Sequence, residues 1–195
     1  MRPEVKVIDT VIPTTWDSGN SAANNVISLV SLTNGTGINQ RIGNSISCKT
    51  LEIVGGIYGG SNQSVIPQIC RLMIVWDKQP DPTAVPTAPA PSLLNSATPG
   101  GLINVTNTDR YTILYDKLFP IGTASGFFSN PGFNSARAFH INLDLKNIEV
   151  RYQTGAVFPT SNNLVLISMT ETVPGLNTNP TWVGYASARV RFTDV

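Results

Sequence analysis

The sequence predicts an all-β protein, and three observations carry that prediction. Apolar and polar residues alternate with a period of two, clusters of Gly, Pro, Asn and Ser separate the alternating runs, and no segment has convincing amphipathic helix periodicity. The alternation is clearest at 139–146 and 186–193, where it would place apolar side chains on one face of a strand. The 195 residues, 41% of them hydrophobic, suit a single domain, 1–195, with one core.

Eight runs are predicted as strands, preceded by an extended amino-terminal segment at 1–25. Eight antiparallel strands suit two facing sheets, but the count alone does not separate a jelly roll from an immunoglobulin-like sandwich. In chain order the runs are 26–32, 46–58, 69–76, 111–118, 139–146, 148–152, 164–170 and 186–193.

The run 46–58 changes its apolar phase partway along. Residues up to Cys48 share one parity, whereas Leu51 and Ile53 share the other. A β-bulge at Lys49 and Thr50 would bring both halves onto the same face, and we predict one there.

Few residues offer catalytic or metal-binding chemistry. Cys48 and Cys70 lie in apolar runs and are too few for a disulfide framework, so we predict buried free thiols. The single histidine, His140, cannot supply a multi-histidine metal site, and no nucleophile-elbow or phosphate-loop motif occurs. We therefore predict no enzyme and no cofactor. Calcium between subunits is compatible with the abundant oxygen ligands, but the sequence places no such site.

The surface is predicted to be polar but nearly uncharged. Charged residues make up 13% of the chain, about half the usual ~25%, and the formal net charge is +1. Such a surface repels copies of itself weakly, which suits a self-associating subunit. It suits an extracellular β-sandwich with a Thr/Asn-rich surface equally well. No apolar run is long enough to span a membrane, so no membrane partner is predicted.

Three segments, taken in order, resemble one family. They read GTGINQRIGNSISCKTLEI at 35–53, RLMIVWD at 71–77 and RYTILYD at 110–116. They resemble single jelly-roll capsid proteins of small circular single-stranded DNA viruses (circovirus-like) and of the satellite tobacco necrosis virus type. In that template, 35–53 leads into the first barrel strand. The resemblance covers 5–118 and implies an eight-stranded antiparallel jelly-roll sandwich or barrel with long interstrand loops.

The resemblance also implies a function. It indicates a structural coat protein whose copies, sixty in number, assemble into a small icosahedral shell around a single-stranded genome. The expected location is the virion and, during assembly, the host cell, with the nucleus as a candidate compartment. It identifies no host receptor. The alternative from a different class is a secreted lectin-like or adhesin-like β-sandwich that binds carbohydrate through Asn, Asp and aromatic loop residues.

Nucleic-acid binding is the point at which the sequence departs from the family. Resembling capsid proteins carry a basic amino-terminal arm, whereas only two basic residues precede the first strand here. Either such an arm lies upstream or the cargo is enclosed by weaker contacts. For each remaining candidate a plain solvated or interface role is the alternative. The nucleic-acid-binding candidates are Arg2, Lys6, Arg41, Lys49, Arg189 and Arg191.

Two loops are predicted to contact neighbouring subunits. The first, 77–109, is rich in proline, and a connection of this length inside a compact domain is usually functional or disordered. The second, 120–136, carries aromatic residues, and exposed aromatic side chains in a loop indicate a contact with an apolar partner. The alternatives are a solvated flap for the first loop and a satellite core cluster for the second. The interface candidates are Pro80, Pro82, Pro86, Leu93, Leu94, Phe127, Phe128 and Phe133.

Overall fold

The computed structural model describes residues 4–12, 15–16, 26–59, 68–81, 93–96, 98–121, 136–170 and 182–195. These residues form ten β-strands and one short 3-10 helix at Val105–Asn107. Within them no helix has the length and hydropathy of a membrane span. The strands are β1 (Lys6–Ile12), β2 (Thr15–Trp16), β3 (Val26–Ser28), β4 (Ser45–Gly59), β5 (Gln68–Asp77), β6 (Tyr111–Ile121), β7 (Ala136–Tyr152), β8 (Pro159–Ser161), β9 (Asn163–Thr170) and β10 (Trp182–Asp194).

The strands form two antiparallel sheets. The first sheet has the order β1-β10-β4-β7-β8, with β2 also paired to β10, and the second has the order β3-β9-β5-β6. If the short strands β2 and β8 are set aside, the first and last strands of the remaining eight are neighbours. The chain passes from one sheet to the other at nearly every connection. This order is that of a jelly roll, and it confirms the predicted fold class.

Two details of the strand prediction are wrong. The segment 35–53 leads into β4 and not into the first barrel strand, because Lys6–Ile12 already forms that strand by pairing with β10. The runs 139–146 and 148–152 are a single strand, β7. Lys146 and Asn147 have positive φ angles of 52° and 59° and form an insertion in β7, while pairing with β4 continues on either side.

The predicted bulge in β4 is confirmed. Thr50 pairs with Arg191 of β10 and Cys48 pairs with Phe192, so Lys49 is the extra residue without a pairing partner. The bulge shifts the side-chain parity by one, which allows the apolar residues of both halves of β4 to face the same core.

The main core lies between the inner faces of the two sheets. Cys48 of the first sheet and Cys70 of the second both belong to it, and both are free thiols, as predicted. Burial raises the pKa of each thiol to about 12. Tyr152 is also buried in this core and donates its hydroxyl to the carbonyl oxygen of Val30 at 2.8 Å.

Candidate contact surfaces

The connection from β5 to β6 begins and ends at one ion pair. Arg110 donates from Nε and Nη2 to both carboxylate oxygens of Asp77 at 2.8 Å. These hydrogen bonds raise the pKa of Arg110. The backbone N–H of Lys78 also donates to the carbonyl oxygen of Arg110 at 3.0 Å. The base of the connection is therefore closed by paired contacts.

A buried arginine fastens the returning half of the connection to the second sheet. Arg71 of β5 is only 7% exposed. It donates to both carboxylate oxygens of Asp116 at 2.7 and 2.6 Å. Its third nitrogen donates to the carbonyl oxygens of Pro99 and Gly101 at 3.1 and 2.6 Å. One guanidinium thus joins two adjacent strands to the loop that crosses them.

The same connection covers the outer face of the second sheet. Leu93 and Leu94 are 2% and 0% exposed. The backbone N–H groups of Asn95 and Asn104 donate to the carbonyl oxygens of Leu102 and Leu93, at 2.9 and 2.8 Å, and so hold the two passes of the loop together. The two leucines pack with a second apolar cluster made of Val26, Met73, Val75, Tyr111, Val165, Ile167 and Met169.

This placement corrects part of the interface prediction. Because Leu93 and Leu94 are buried within their own subunit, their side chains are not available to a neighbour. Pro80 is half-buried at the start of the connection. The other predicted interface residues, Pro82, Pro86, Phe127, Phe128 and Phe133, lie outside the described residues.

The fixed loop presents exposed apolar residues of its own. Leu102, Ile103 and Val105, called the loop patch below, are 72%, 42% and 77% exposed. They are absent from the residues predicted at an interface, although an apolar run inside a polar loop is a usable signal. The interface prediction therefore moves from Leu93 and Leu94 to this patch, a few residues further along the same loop.

Arg41 proves to be a buried structural residue. Its side chain is 0% exposed. It donates to the carbonyl oxygens of Ala156 at 2.7 Å, of Gln153 at 3.5 Å and of Gly43. Its guanidinium carbon lies 4.3 Å from the ring centroid of Tyr152, in a cation–π contact. A phosphate therefore has no access to Arg41, which corrects its prediction as a nucleic-acid contact.

Lys6 is likewise buried, at 2% exposed. Its ammonium nitrogen lies 2.9 Å from Oδ2 of Asp194 and donates to the carbonyl oxygen of Gln40 at 3.1 Å. The other oxygen of Asp194 accepts from the backbone N–H of Ile42 at 2.8 Å. Lys6 thus links β1 and β10 to the loop between β3 and β4, and its prediction as a nucleic-acid contact is corrected for the same reason.

The outer face of the first sheet carries arginines that are already paired. Arg189 donates to both oxygens of Asp9 at 2.6 and 2.7 Å, and these hydrogen bonds lower the pKa of Asp9. Arg191 lies 3.7 Å from Glu52. Each predicted arginine on this face therefore faces a carboxylate from a neighbouring strand, so the face is not a basic surface.

The remaining nucleic-acid candidates give little more charge. Lys49, at the bulge, donates to the amide oxygen of Asn147 at 2.6 Å and stays at the surface. Arg2 lies outside the described residues. His140 is exposed and has Nε2 3.2 Å from Glu52 and 3.1 Å from Asn142. In the described part of the chain, no group of three or more His, Cys, Asp or Glu side chains could hold a metal ion.

The chain is similar to known proteins in structure only. No protein-family model and no curated protein matches the chain. Among solved structures, it is similar to one from Desmodium yellow mottle tymovirus, at 16% identity and a TM-score of 0.44, covering 100% of this chain and 89% of that one. It is also similar to a structure of turnip yellow mosaic virus, at 12% identity and a TM-score of 0.43, covering 99% of this chain and 95% of that one. A third similar structure, from mud crab tombus-like virus, has 14% identity and a TM-score of 0.43, covering 100% of this chain and 83% of that one. These values are too low to bear on function, and the fold class rests on the strand order.

Proposed function

We propose that this chain is the coat subunit of a small icosahedral shell in which sixty copies enclose a single-stranded genome. The observation that carries the proposal is the β5–β6 connection. It is fixed to the outside of a jelly-roll sheet by Arg71 and turns the exposed loop patch away from the subunit. A loop held in one conformation loses little further entropy when a neighbour binds, which favours association.

Low surface charge supports association between identical copies. The chain has 13% charged residues, and the arginines that hold the connection are paired within the subunit, Arg71 with Asp116 and Arg110 with Asp77. Lys78 and Asp109 remain exposed near the base of the connection, but they have opposite signs, so their repulsion of a second copy largely cancels. On this proposal the protein has no catalytic role and resides in the virion and, during assembly, in the host cell.

The magnitude of one contact explains why many are needed. Fully burying an apolar side chain contributes roughly 1.5–3 kcal/mol, while association costs roughly 4–15 kcal/mol in lost translational and rotational freedom. A contact made by the loop patch alone would therefore be weak. Closed symmetry multiplies such contacts, because every subunit makes each of them.

Genome binding is proposed to depend mainly on a basic arm upstream of the described residues. This proposal is supported by the pairing of Arg189 and Arg191 with carboxylates and by the burial of Lys6 and Arg41. The counterion release that drives phosphate binding requires unpaired Lys or Arg at the surface.

Negative-stain microscopy of the purified protein, at several concentrations and moderate ionic strength, tests the proposal. We expect closed particles of uniform size. A strictly monomeric protein at the highest concentration would contradict the proposal. A glycan-array screen of the same sample separates the alternative, since specific sugar binding by a monomer would support a carbohydrate-binding module instead.

A further inference from the structure

A second group of exposed apolar side chains surrounds one end of the strands. Val5, Ile38, Ile42 and Val157, called the strand-end patch below, are between 40% and 61% exposed. Ile38 and Val157 line one depression together with Val7. The backbone N–H of Val7 donates to the carbonyl oxygen of Ile38 at 3.1 Å, which fixes that loop against β1.

Buried cations hold this end of the molecule in one conformation. Arg41 joins its own loop to the turn after β7 through the carbonyl oxygens of Gln153 and Ala156. Lys6 and Asp194 hold the same loop at Gln40 and at the backbone of Ile42. Burying a cation costs free energy that well-placed oxygen acceptors must offset. Two such cations beside one short loop make its exposed isoleucines a preformed surface.

Three charged groups at this end, Lys6, Arg41 and Asp194, make their contacts within the subunit. Lys6 and Asp194 neutralise each other, and Arg41 is enclosed by carbonyl and amide oxygens. The strand-end patch is therefore apolar, and the exposed carboxylate of Glu4 lies beside Val5 at its edge. A nucleic acid or an anionic lipid surface is recognised through exposed positive charge, so neither fits this patch. A partner surface that is itself poor in charge fits it.

The two patches occupy different places on the subunit. The loop that leads into the strand-end patch starts at Leu29, whose backbone N–H donates to the carbonyl oxygen of Leu164 in β9. Leu164 pairs with Trp76, near the end of β5. The loop patch instead follows Gly101, which is held by Arg71. Arg71 is five residues before Trp76, about 16 Å along β5 at ~3.3 Å per residue. Arg71 also lies beside β6, at the opposite edge of the second sheet from β3. One neighbouring subunit need not cover both patches.

We infer that the strand-end patch is a second contact between copies of this chain, separate from the contact made by the loop patch. The inference rests on the proposed function. A single type of contact produces a dimer or a ring, or an open filament, whereas a closed shell needs at least two. Arg41 is then a positioning residue that keeps Ile38 and Ile42 in place for the neighbour.

Charged substitutions in each patch test the inference. In Ile38→Asp/Ile42→Asp we expect the yield of closed particles to fall at least about tenfold at fixed protein concentration. Smaller oligomers should remain, because the loop patch is intact. Leu102→Asp/Val105→Asp should behave in the same way. Combining all four substitutions should leave monomers. Particle yield is read by microscopy and oligomer mass by light scattering after size exclusion.

Val11→Asp is the matched control. Val11 is 80% exposed on β1 and belongs to neither patch, so this variant should assemble like the wild type. Thermal unfolding of each variant confirms that the subunit is folded, and Val157→Asp replaces Ile38→Asp/Ile42→Asp if that double variant is not. Normal particles from both Ile38→Asp/Ile42→Asp and Val157→Asp would overturn this inference alone. An equal loss in Val11→Asp would also overturn it. A monomeric wild type would overturn the proposed function.

Discussion

The two sheets differ in what lies against their outer faces. β7, in the first sheet, alternates between buried and exposed positions, and its outward side chains meet solvent. β9, in the second sheet, is buried at every position, because the β5–β6 connection covers part of that sheet. A strand covered on one face has alternating sequence, whereas a strand covered on both faces is a continuous apolar run.

The two sheets also differ in whether the Arg–Asp pairs on their outer faces are buried. On the first sheet, Arg189 and Asp9 form an exposed pair that solvent and salt screen. On the second sheet, Arg71 is buried under the loop that it holds. The two Arg–Asp pairs look alike in the sequence, but Arg71 with Asp116 holds the loop on the second sheet, whereas Arg189 with Asp9 holds no loop.

The largest expected effect comes from removing the buried arginine. Arg71→Met should lower the free energy of unfolding by about 3–5 kcal/mol, because it leaves Asp116 and two loop carbonyls without their donor. Urea denaturation measures this loss. Arg189→Met, the matched change on the first sheet, should produce no resolvable change. Equal losses from the two variants would remove the distinction between the sheets.

A smaller effect is expected from the covering loop itself. Leu94→Ala should cost about 2–3 kcal/mol, the lower part of the range for buried leucines, because a loop can partly collapse into the space. Val54→Ala, at an exposed site on the outer face of the first sheet, should cost less than about 1 kcal/mol. Chemical denaturation of both variants in parallel makes the comparison. A neutral Leu94→Ala would mean that the loop does not stabilise the second sheet.

The smallest effect concerns the two thiols, one from each sheet. Burial raises the pKa of Cys48 and Cys70 to about 12, from 9.0. The free energy of unfolding that comes from keeping these thiols protonated is therefore fully present below pH 9, and it is lost as the pH rises towards 12. At pH 8 a thiol reagent should react with both only after unfolding, because the thiolate is the nucleophile. Labelling of one cysteine in the folded protein would show that its sheet opens independently.

Much of the first sheet could be predicted from local pattern. The alternation at 139–146 and 186–193 gave the buried faces, and a parity change gave the bulge at Lys49. β1 was missed as a strand because Lys6 occupies an inward position where a pattern expects an apolar residue. Its partner, Asp194, lies at the other end of the sequence, and no local pattern reveals such a pair.

The candidate surfaces were less predictable for the same reason. Arg41 is a plausible phosphate contact in the sequence, and only the fold brings it against Gln153 and Ala156. Leu93 and Leu94 were placed in the right loop, but which leucines face inward depends on how the loop lies across the second sheet. Local sequence marks a loop as apolar, whereas its orientation is decided by contacts from distant strands.

Sedimentation velocity of the wild-type protein over a wide concentration range tests most directly whether the subunit is built to contact copies of itself. We expect the 20.9 kDa subunit to convert with rising concentration into one large, closed species of uniform size. A single 20.9 kDa species at every concentration would contradict it.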